Sequence, residues 1–440
     1  MKIALVFCDI DKIFADYPLG VFSIFESNPP LGLCSIGTIA ESRGHKVKIF
    51  DQLLHNYDLN ELIESIIAYN PEMVGFACTS LNIATSLLCA KQIKQNLSCI
   101  CFAGGIHVTL CANEVASEGV FDFLLSGEGE EIFDTVLSVM ESTGLQRLEN
   151  LEKLGFWGKG KNCSNGMAVL SNIDQPIHDR SLLELNLYSN RGALLSETPC
   201  YSLFSSRGCP FSCKFCSKPY YFRIYRHRNI TEVMLEIHEL VYKYGAKAIS
   251  FREDNFTADE NYLRDFCQKM IDEFSGNLHW ECESRAELSK EILELMYAAG
   301  CRGIWCGIET MVPKWNKWIN KKLKRESVLL FYDNCKKIGI KTGALFMFGF
   351  PEQTKIELEE DVNFALSLPT EFSAFQCMAI FPGSPLAAYY AQNPDICHPI
   401  TQNVSLALTR GCAVKDMIAM EHEINLRIKS NRVTNNISEV

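Results

Sequence analysis

Cys209, Cys213 and Cys216 fall close together in "RGCPFSCKFCSKP" (207–219), between Gly208 and the segment that follows Pro210. Thiolates at Cys-x3-Cys-x2-Cys spacing are metal ligands by type and by reach. Two chemistries compete on these residues. One is a structural zinc site completed by His227 as a Cys3His set. Zinc sites pair their ligands across two knuckles, however, and "SKPYYFRIYR" (217–226) offers no second one. The other is a four-iron cluster held by three thiolates. Such clusters normally take four cysteines, so a missing fourth leaves one iron open to bind a molecule that reacts. The chain has 20 cysteines in all. Most, such as Cys89, Cys99, Cys101, Cys267, Cys335 and Cys377, sit in apolar contexts where cysteine acts as a small buried hydrophobe.

The elements that must position these thiols are an alternation of apolar runs and helical patterns. "KIALVF" (2–7), "KVKIFD" (46–51), "MVGFAC" (73–78), "CICFAGG" (99–105) and "FDFLLSG" (121–127) lack period-2 polarity. Strands buried on both faces of a parallel sheet read that way. Helix patterns at 31–44 and 59–70 fall between them, giving a doubly wound α/β domain over residues 1–135. Residues 136–195 read as a bridge, with a hairpin signal at Ser164-Asn165-Gly166. Over 196–390 six strands at 201–206, 247–253, 278–284, 302–308, 341–349 and 373–381 alternate with helices at 230–244, 259–274, 288–299, 325–338 and 355–367. Six repeats are too few for a closed eight-fold barrel and predict a partial, open (β/α)6 one. The thiols then lie just after its first strand, at the end where ligands bind. Residues 391–440 form a C-terminal extension whose last segment, "KSNRVTNNISEV", reads as a frayed polar tail.

With 440 residues, 47% apolar and 22% charged, the chain has enough apolar surface for a real core. A net charge of −11 argues against nucleic acid or an anionic membrane surface as a partner. No apolar run approaches the roughly 20 residues of a membrane helix. The N-terminus reaches Asp9 and Asp11 before a signal-peptide core forms, which predicts a cytoplasmic protein.

Cys-x3-Cys-x2-Cys with Phe215 before the last cysteine resembles the signature of the radical S-adenosylmethionine superfamily. In that family the open iron chelates the amino and carboxylate groups of S-adenosylmethionine, and one electron yields a 5′-deoxyadenosyl radical. The resemblance therefore implies a [4Fe-4S] cluster, S-adenosylmethionine, and an external one-electron reductant of the flavodoxin or ferredoxin type. "SFREDNFT" (250–257) resembles the segment whose acids meet the methionine amino group, making Glu253 and Asp254 candidates. "CESRAE" (282–287) brings Ser284 and Arg285 toward the carboxylate and ribose, and "GIET" (307–310) aims Glu309 inward. "LFMFGFPEQT" (345–354) resembles the fifth-strand pattern, with the backbone at Gly349 near the adenine. Trp305 and Cys306 are bulkier than expected there and point to an unusual pocket.

"NPPLGLCSIGTIAESRGHKVKIFD" (28–51), "VGFACTS" (74–80), "FAGGIHVTL" (102–110) and "LLSGEGEE" (124–131) resemble cobalamin-binding domains fused to such barrels. Thr79, Ser80, Gly104, Gly105, His107, Gly127 and Glu128 are the implied cobalamin contacts, the glycines allowing close approach to a large planar ligand. The Asp-x-His-x-x-Gly motif that gives cobalt a histidine ligand from below is absent. The implied activity is methylation of an unactivated carbon of a small molecule. The alternative is a rearrangement, cyclisation, epimerisation or dehydration. A methylthiotransferase with a second cluster on Cys8, Cys34 and Cys78 is disfavoured, because the residues around them do not match.

Overall fold

The structure is a computed structural model that describes residues 1–16, 28–143, 151, 155–158, 166–174, 178–188, 191–217 and 223–438. It divides into two compact units, Met1–Ala15 with Ser27–Ser189, and Asp16–Glu26 with Asn190–Val440.

In the first unit, strands β1 (Lys2–Phe7), β2 (Lys46–Asp51), β3 (Met73–Ala77), β4 (Ile100–Gly104), β5 (Phe123–Leu125) and β6 (Phe156–Gly158) form one sheet in the order β2-β1-β3-β4-β5-β6. The first five are parallel, and β6 runs antiparallel to β5. Ile3 to Val6 and Met73 to Phe76 are buried throughout, as strands covered on both faces by helices must be. Helix Leu59–Tyr69 opens on a capping box of Asp58 and Glu61 and stops at Asn70 in the left-handed region. Helix Glu130–Thr143 runs across the expected boundary at 135, and β6 belongs to this sheet. Stacked rings Phe102–Phe123 (5.0 Å) and Phe123–Phe156 (5.6 Å) tie β4, β5 and β6 together. Part of the expected bridge is therefore an edge of the first unit. Of the hairpin signal only Gly166 is described; Ser164 and Asn165 lie outside the described residues.

In the second unit, β7 (Cys200–Leu203) is followed by two short strands, β8 (Ser206–Arg207) and β9 (Arg226–His227), which pair antiparallel and close the base of the cysteine loop. Five strands then join β7: β10 (Ala248–Phe251), β11 (His279–Ser284), β12 (Cys301–Glu309), β13 (Lys341–Phe348) and β14 (Phe372–Cys377). The sheet order is β14-β13-β12-β11-β10-β7, every pair parallel. With β7 and β14 at its two ends the sheet is open, as six repeats require. The intervening helices start where their caps dictate: Asn229 accepts from Thr231 N, Ser289 from Ile292 N, and Thr354 forms a capping box with Glu357.

Beyond β14 the chain continues in regular structure, and the segment read as a frayed tail is helical as far as Ser438. Strands β15 (Ala379–Ile380), β16 (Cys397–Pro399) and β17 (Ser405–Ala407) make a small antiparallel sheet, and a helix runs from Val414 to Ser438. Its polar residues have work on the edge of β14. Asn425 both accepts from Phe375 N and donates to Phe375 O, at 2.8 Å each. Glu421 accepts from Cys377 N at 2.7 Å, and Arg432 donates to Ser373 Oγ at 2.7 Å. Side chains thus occupy positions that a seventh strand would take, and the edge is not left open for pairing.

Candidate active site

The loop from Gly208 to Ser217 leaves β8 without regular structure, so its place depends on side chains around it. At its base the buried carboxylate of Glu253 accepts from Ser205 N and, at 3.2 Å, from Ser206 N. Further on, Asn320 donates to Ser212 O (3.0 Å) and Ser212 Oγ (2.8 Å), and Lys214 N donates to Ile319 O (2.9 Å). Leu386 N donates to Lys214 O at 3.1 Å. The ring of Phe215 packs on an apolar cluster that includes Trp315, Ile319 and Phe350. The Arg285 guanidinium lies over Phe211, 4.1 Å from the ring centre.

This anchoring brings Cys209, Cys213 and Cys216 onto one cavity of about 270 Å³, beside Phe215. Asp254, Ser284, Arg285 and Glu309 line the same space, from beyond β10, the end of β11 and the end of β12. All are at the carboxyl ends of parallel strands, where this architecture places its chemistry. Burial raises the Cys213 thiol, with Lys321 pulling it back down and Glu309 pushing it up.

Two expected site residues stand elsewhere. Glu253 is buried under the loop, not on the cavity: beyond β10 the chain leaves the strand, and Arg252, Asp254 and Asn255 line the cavity while Glu253 turns away from it. Gly349 sits at φ +94° in the turn after β13, its N–H held by Gln353 Oε1 at 2.9 Å, and a Cβ there would meet Met417, Ala407 and Cys377. It does not line the cavity. His227, the alternative zinc ligand, stacks on Tyr262 with centroids 4.3 Å apart and approaches Asp259 at 4.0 Å. It is likewise absent from the cavity wall, which leaves three thiols there without a fourth ligand from His227.

Lys321 carries the signal that sequence reasoning missed. Its ammonium meets Glu309 Oε1 at 3.1 Å inside the cavity, 5.9 Å from the Phe215 ring centre. Asn320 and Lys322, on either side, both have left-handed backbone (φ +59° and +60°), and Arg285 Nη2 holds the Lys321 carbonyl at 2.6 Å. Glu309 itself lies at φ +68° in a bulge between β12 and β13. Such backbone costs on the order of 1–3 kcal/mol and persists where the surroundings impose it. A Cβ at Gly307 would meet the Glu309 carboxylate, so any larger residue there would displace that side chain from its present place. Deeper in the cavity Trp305 lies over Gly343, with its Nε1 buried and without a partner among the described residues.

The donor set fits a [4Fe-4S] cluster. Three thiols, Cys209, Cys213 and Cys216, share one cavity, as the three ligands of such a cluster would. Asp254, with Arg285, Lys321 and Ser284, supplies both signs of charge and a hydroxyl, as an amino acid moiety with ammonium and carboxylate requires.

In the first unit the implied cobalamin contacts gather at the carboxyl ends of β3, β4 and β5. Much of their bonding is internal. His107 is fully buried, its Nδ1 at 2.9 Å from Ser80 Oγ and its Nε2 unpartnered among the described residues; burial lowers its pKa. Thr79 bonds to Asn82 Oδ1, and Asn82 Nδ2 donates to Cys8 O (3.1 Å) and Ala77 O (3.3 Å), bridging β1 and β3. Gly104 O accepts from Cys78 N at 2.8 Å. The close approaches that Gly105 and Gly127 allow are to the backbones of Cys78 and Ala168, respectively. Glu128 Oε2 accepts from Leu170 N at 2.5 Å. Cys8, Cys34 and Cys78 are buried, Cys34 donating to Asp179 O at 3.1 Å. Asn82 and Asp11, which caps Ala84 and Thr85, are further organisers of this end that the sequence did not single out.

Residues 203–365 match the family described as "Radical SAM superfamily", and residues 19–137 match "B12 binding domain". The chain is a cobalamin-dependent radical SAM enzyme. It is 28% identical over 378 residues to an uncharacterized methyltransferase of Pyrococcus horikoshii, covering 83% of this chain and 79% of that one. It is 24% identical over 382 residues to an anaerobic magnesium-protoporphyrin IX monomethyl ester cyclase of Rubrivivax gelatinosus, covering 80% of this chain but 64% of the cyclase. In fold it resembles the radical SAM methyltransferase TsrM of Kitasatospora setae, solved with cobalamin and a [4Fe-4S] cluster bound, with a TM-score of 0.68 at 16% identity over 89% of this chain and 75% of TsrM. The partial barrel and doubly wound domain of this radical SAM enzyme are thus a known pairing. Its cofactors are a [4Fe-4S] cluster, S-adenosylmethionine and cobalamin. No helix among the described residues is long and apolar enough to cross a membrane.

Proposed function

We propose that this enzyme methylates an unactivated carbon of a small molecule. When bound, the cluster supplies the electron that cleaves S-adenosylmethionine to a 5′-deoxyadenosyl radical, and cobalamin supplies the methyl group. The observation that carries the reading is the meeting of the three thiols with Asp254, Glu309 and Lys321 in one cavity. Cys209, Cys213 and Cys216 hold the cluster. Asp254 accepts from the ammonium of the methionine moiety, and Lys321 donates to its carboxylate, while Glu309 keeps the lysine pointed inward. Arg285 acts by holding the Lys321 carbonyl and Phe211, and so fixes the wall against the loop. Trp305 and Leu345, with Ala193, Phe211 and Phe215, form the apolar part of the wall and limit water around the reacting carbon. In the first unit, Thr79, Ser80, Gly104, Gly105, Gly127 and Glu128 shape the end of the sheet that takes cobalamin, and His107 supports Ser80 from beneath. An external one-electron reductant of the ferredoxin or flavodoxin type, in a reducing cytoplasm, completes the requirements.

The similarity to the cyclase supports a second reading, in which cobalamin assists a ring closure without methyl transfer. Anaerobic turnover with methyl-deuterated S-adenosylmethionine separates them: deuterated methyl in the product supports the first, and unlabelled product supports the second. Iron and cobalt are measured beforehand, at about four irons and one cobalt per chain on this reading. Cys213→Ser abolishes 5′-deoxyadenosine formation; if the variant still made it under reduction, the cluster assignment would be wrong.

A further inference from the structure

Glu253 has no place on the cavity, yet it is among the most enclosed carboxyls of the chain. Its Oε1 receives the backbone N–H groups of Ser205 and Ser206, the last residues before the loop that carries the thiols. Its Oε2 is buried without a partner among the described residues, and the Ser205, Ser206 and Tyr225 hydroxyls are buried at the same loop base. A buried carboxylate oxygen left unpartnered is unusual for a native interior, where nearly all find partners. A hydroxyl-lined pocket of this kind is the environment in which a carboxyl holds a proton and gives it up. Tyr225 is only half-buried and lies just before the loop's closing strand.

We propose that Glu253 is a proton-linked positioning residue of the cluster, clamping the loop base through one oxygen and taking up a proton at the other when the cluster is reduced. This rests on the cluster reading above. The step balances: one electron passes from the external reductant to the oxidised cluster, and one solvent proton joins the carboxylate, with no covalent bond to carbon, nitrogen or sulfur made or broken. Reduction adds negative charge to the group held by the loop that this carboxylate clamps at its base, which favours the neutral carboxyl; conversely the neutral form favours reduction.

The electrostatics agree. Burial raises the Glu253 carboxyl to about 7, against the bonds from Ser205 and Ser206 that favour its ionised form. Tyr225, just before the closing strand, feels the Glu253 charge; burial raises it to about 12, against a bond from Ser206. Arg228, just after that strand, donates its N–H to Ser205 O and pairs with Glu236 at 2.6 Å. Tyr262, from helix Glu260–Phe274, donates to Ser205 O at 3.5 Å; His227 and Asp259 lie beyond it. Cys282 approaches from β11 and feels the Glu253 charge.

The test is an EPR-monitored redox titration of the anaerobically reconstituted full chain, without substrate, between pH 6 and 8.5. The wild-type midpoint is expected to fall as pH rises through 7. In Glu253→Gln the amide oxygen still accepts from Ser205 and Ser206 but cannot ionise, so the midpoint is flat with pH and above wild type at pH 8. His227→Gln retains the wild-type slope, and Glu253→Ala loses iron because the clamp is gone. A flat wild-type midpoint, a slope that survives in Glu253→Gln, or one that vanishes in His227→Gln overturns the proposal. A chain that binds no iron at all instead overturns the cluster reading.

Discussion

Replacing Lys321 by methionine separates two roles that the cavity assigns to one side chain. Lys321 Nζ and Glu309 Oε1 are 3.1 Å apart, with side chains only 10% and 11% exposed. At that distance their attraction is about 5 kcal/mol for an effective dielectric near 20, much of it offset by the cost of removing both charges from water. Removing the lysine alone leaves Glu309 buried and uncompensated, a loss of about 3 kcal/mol or somewhat more. For a unit of this size that is a fall of roughly 6–12 °C in melting temperature. If Lys321 also bonds the methionine carboxylate, one charge-assisted hydrogen bond worth about 1.5–3 kcal/mol is lost, weakening S-adenosylmethionine binding by about 10- to 150-fold. The assay is anaerobic calorimetry of S-adenosylmethionine binding to the reconstituted protein, together with a thermal melt. Combining Lys321→Met with Glu309→Gln removes the stranded charge, so stability recovers while affinity does not. Wild-type affinity in the lysine variant would confine Lys321 to a structural role, and an unchanged melt would show the pair to be energetically silent.

Three further outcomes follow from other parts of the second unit. Asn425→Ala strips both partners from the Phe375 backbone, costing about 1–3 kcal/mol and exposing an edge; a urea midpoint equal to wild type would refute the edge-sealing role of the last helix. Asp361, bonded by Thr310 Oγ1 and Met311 N at 2.6 Å each, is raised by burial to about 6. Because its folded value is raised, its contribution is fully present below pH 4 and is lost as pH rises through 6, about 3 kcal/mol in all; Asp361→Asn removes that part of the slope of stability against pH, and an unaltered slope would exclude it. Gly343→Ala drives a methyl group into the Trp305 ring and costs about 1–3 kcal/mol. Adding Trp305→Ala relieves the collision, and failure to regain any stability in the pair would show that the ring is not what the glycine accommodates.

The parallel strands were legible because their physics is written in composition. β1 and β3 are apolar at nearly every position, which a strand covered on both faces must be. β6 was not, since Phe156-Trp157-Gly158 is too short to show a period, and its pairing with β5 depends on ring contacts distant in sequence. The last helix was not expected, and its final segment, 429–440, was read as a frayed tail, for a related reason. Asn425, Arg427 and Arg432 look solvated in sequence, whereas Asn425 answers an edge backbone and Arg427 pairs with Glu359 at 2.6 Å. Local pattern records burial of apolar surface; it does not record which polar group satisfies which.

The same limit decides what was legible in the site. Cysteine spacing announces metal chemistry here because all three thiolates come from nearby residues of one loop. The choice between Glu253 and Asp254 is made by the direction of the chain after β10, and no residue type reveals it. Lys321 is harder still, since left-handed backbone at Asn320 and Lys322 and the Arg285 bond to its carbonyl turn it inward. The loop itself has no strand or helix to satisfy its backbone, so partners must come from elsewhere. They come from Glu253 beyond β10, Ile319 and Asn320 beyond β12, and Leu386 beyond β14. Thiols that appear in sequence as a local motif are therefore held by connections drawn from across the sheet. Loosening any of these contacts should be felt first as poorer cluster retention, before the unit as a whole unfolds.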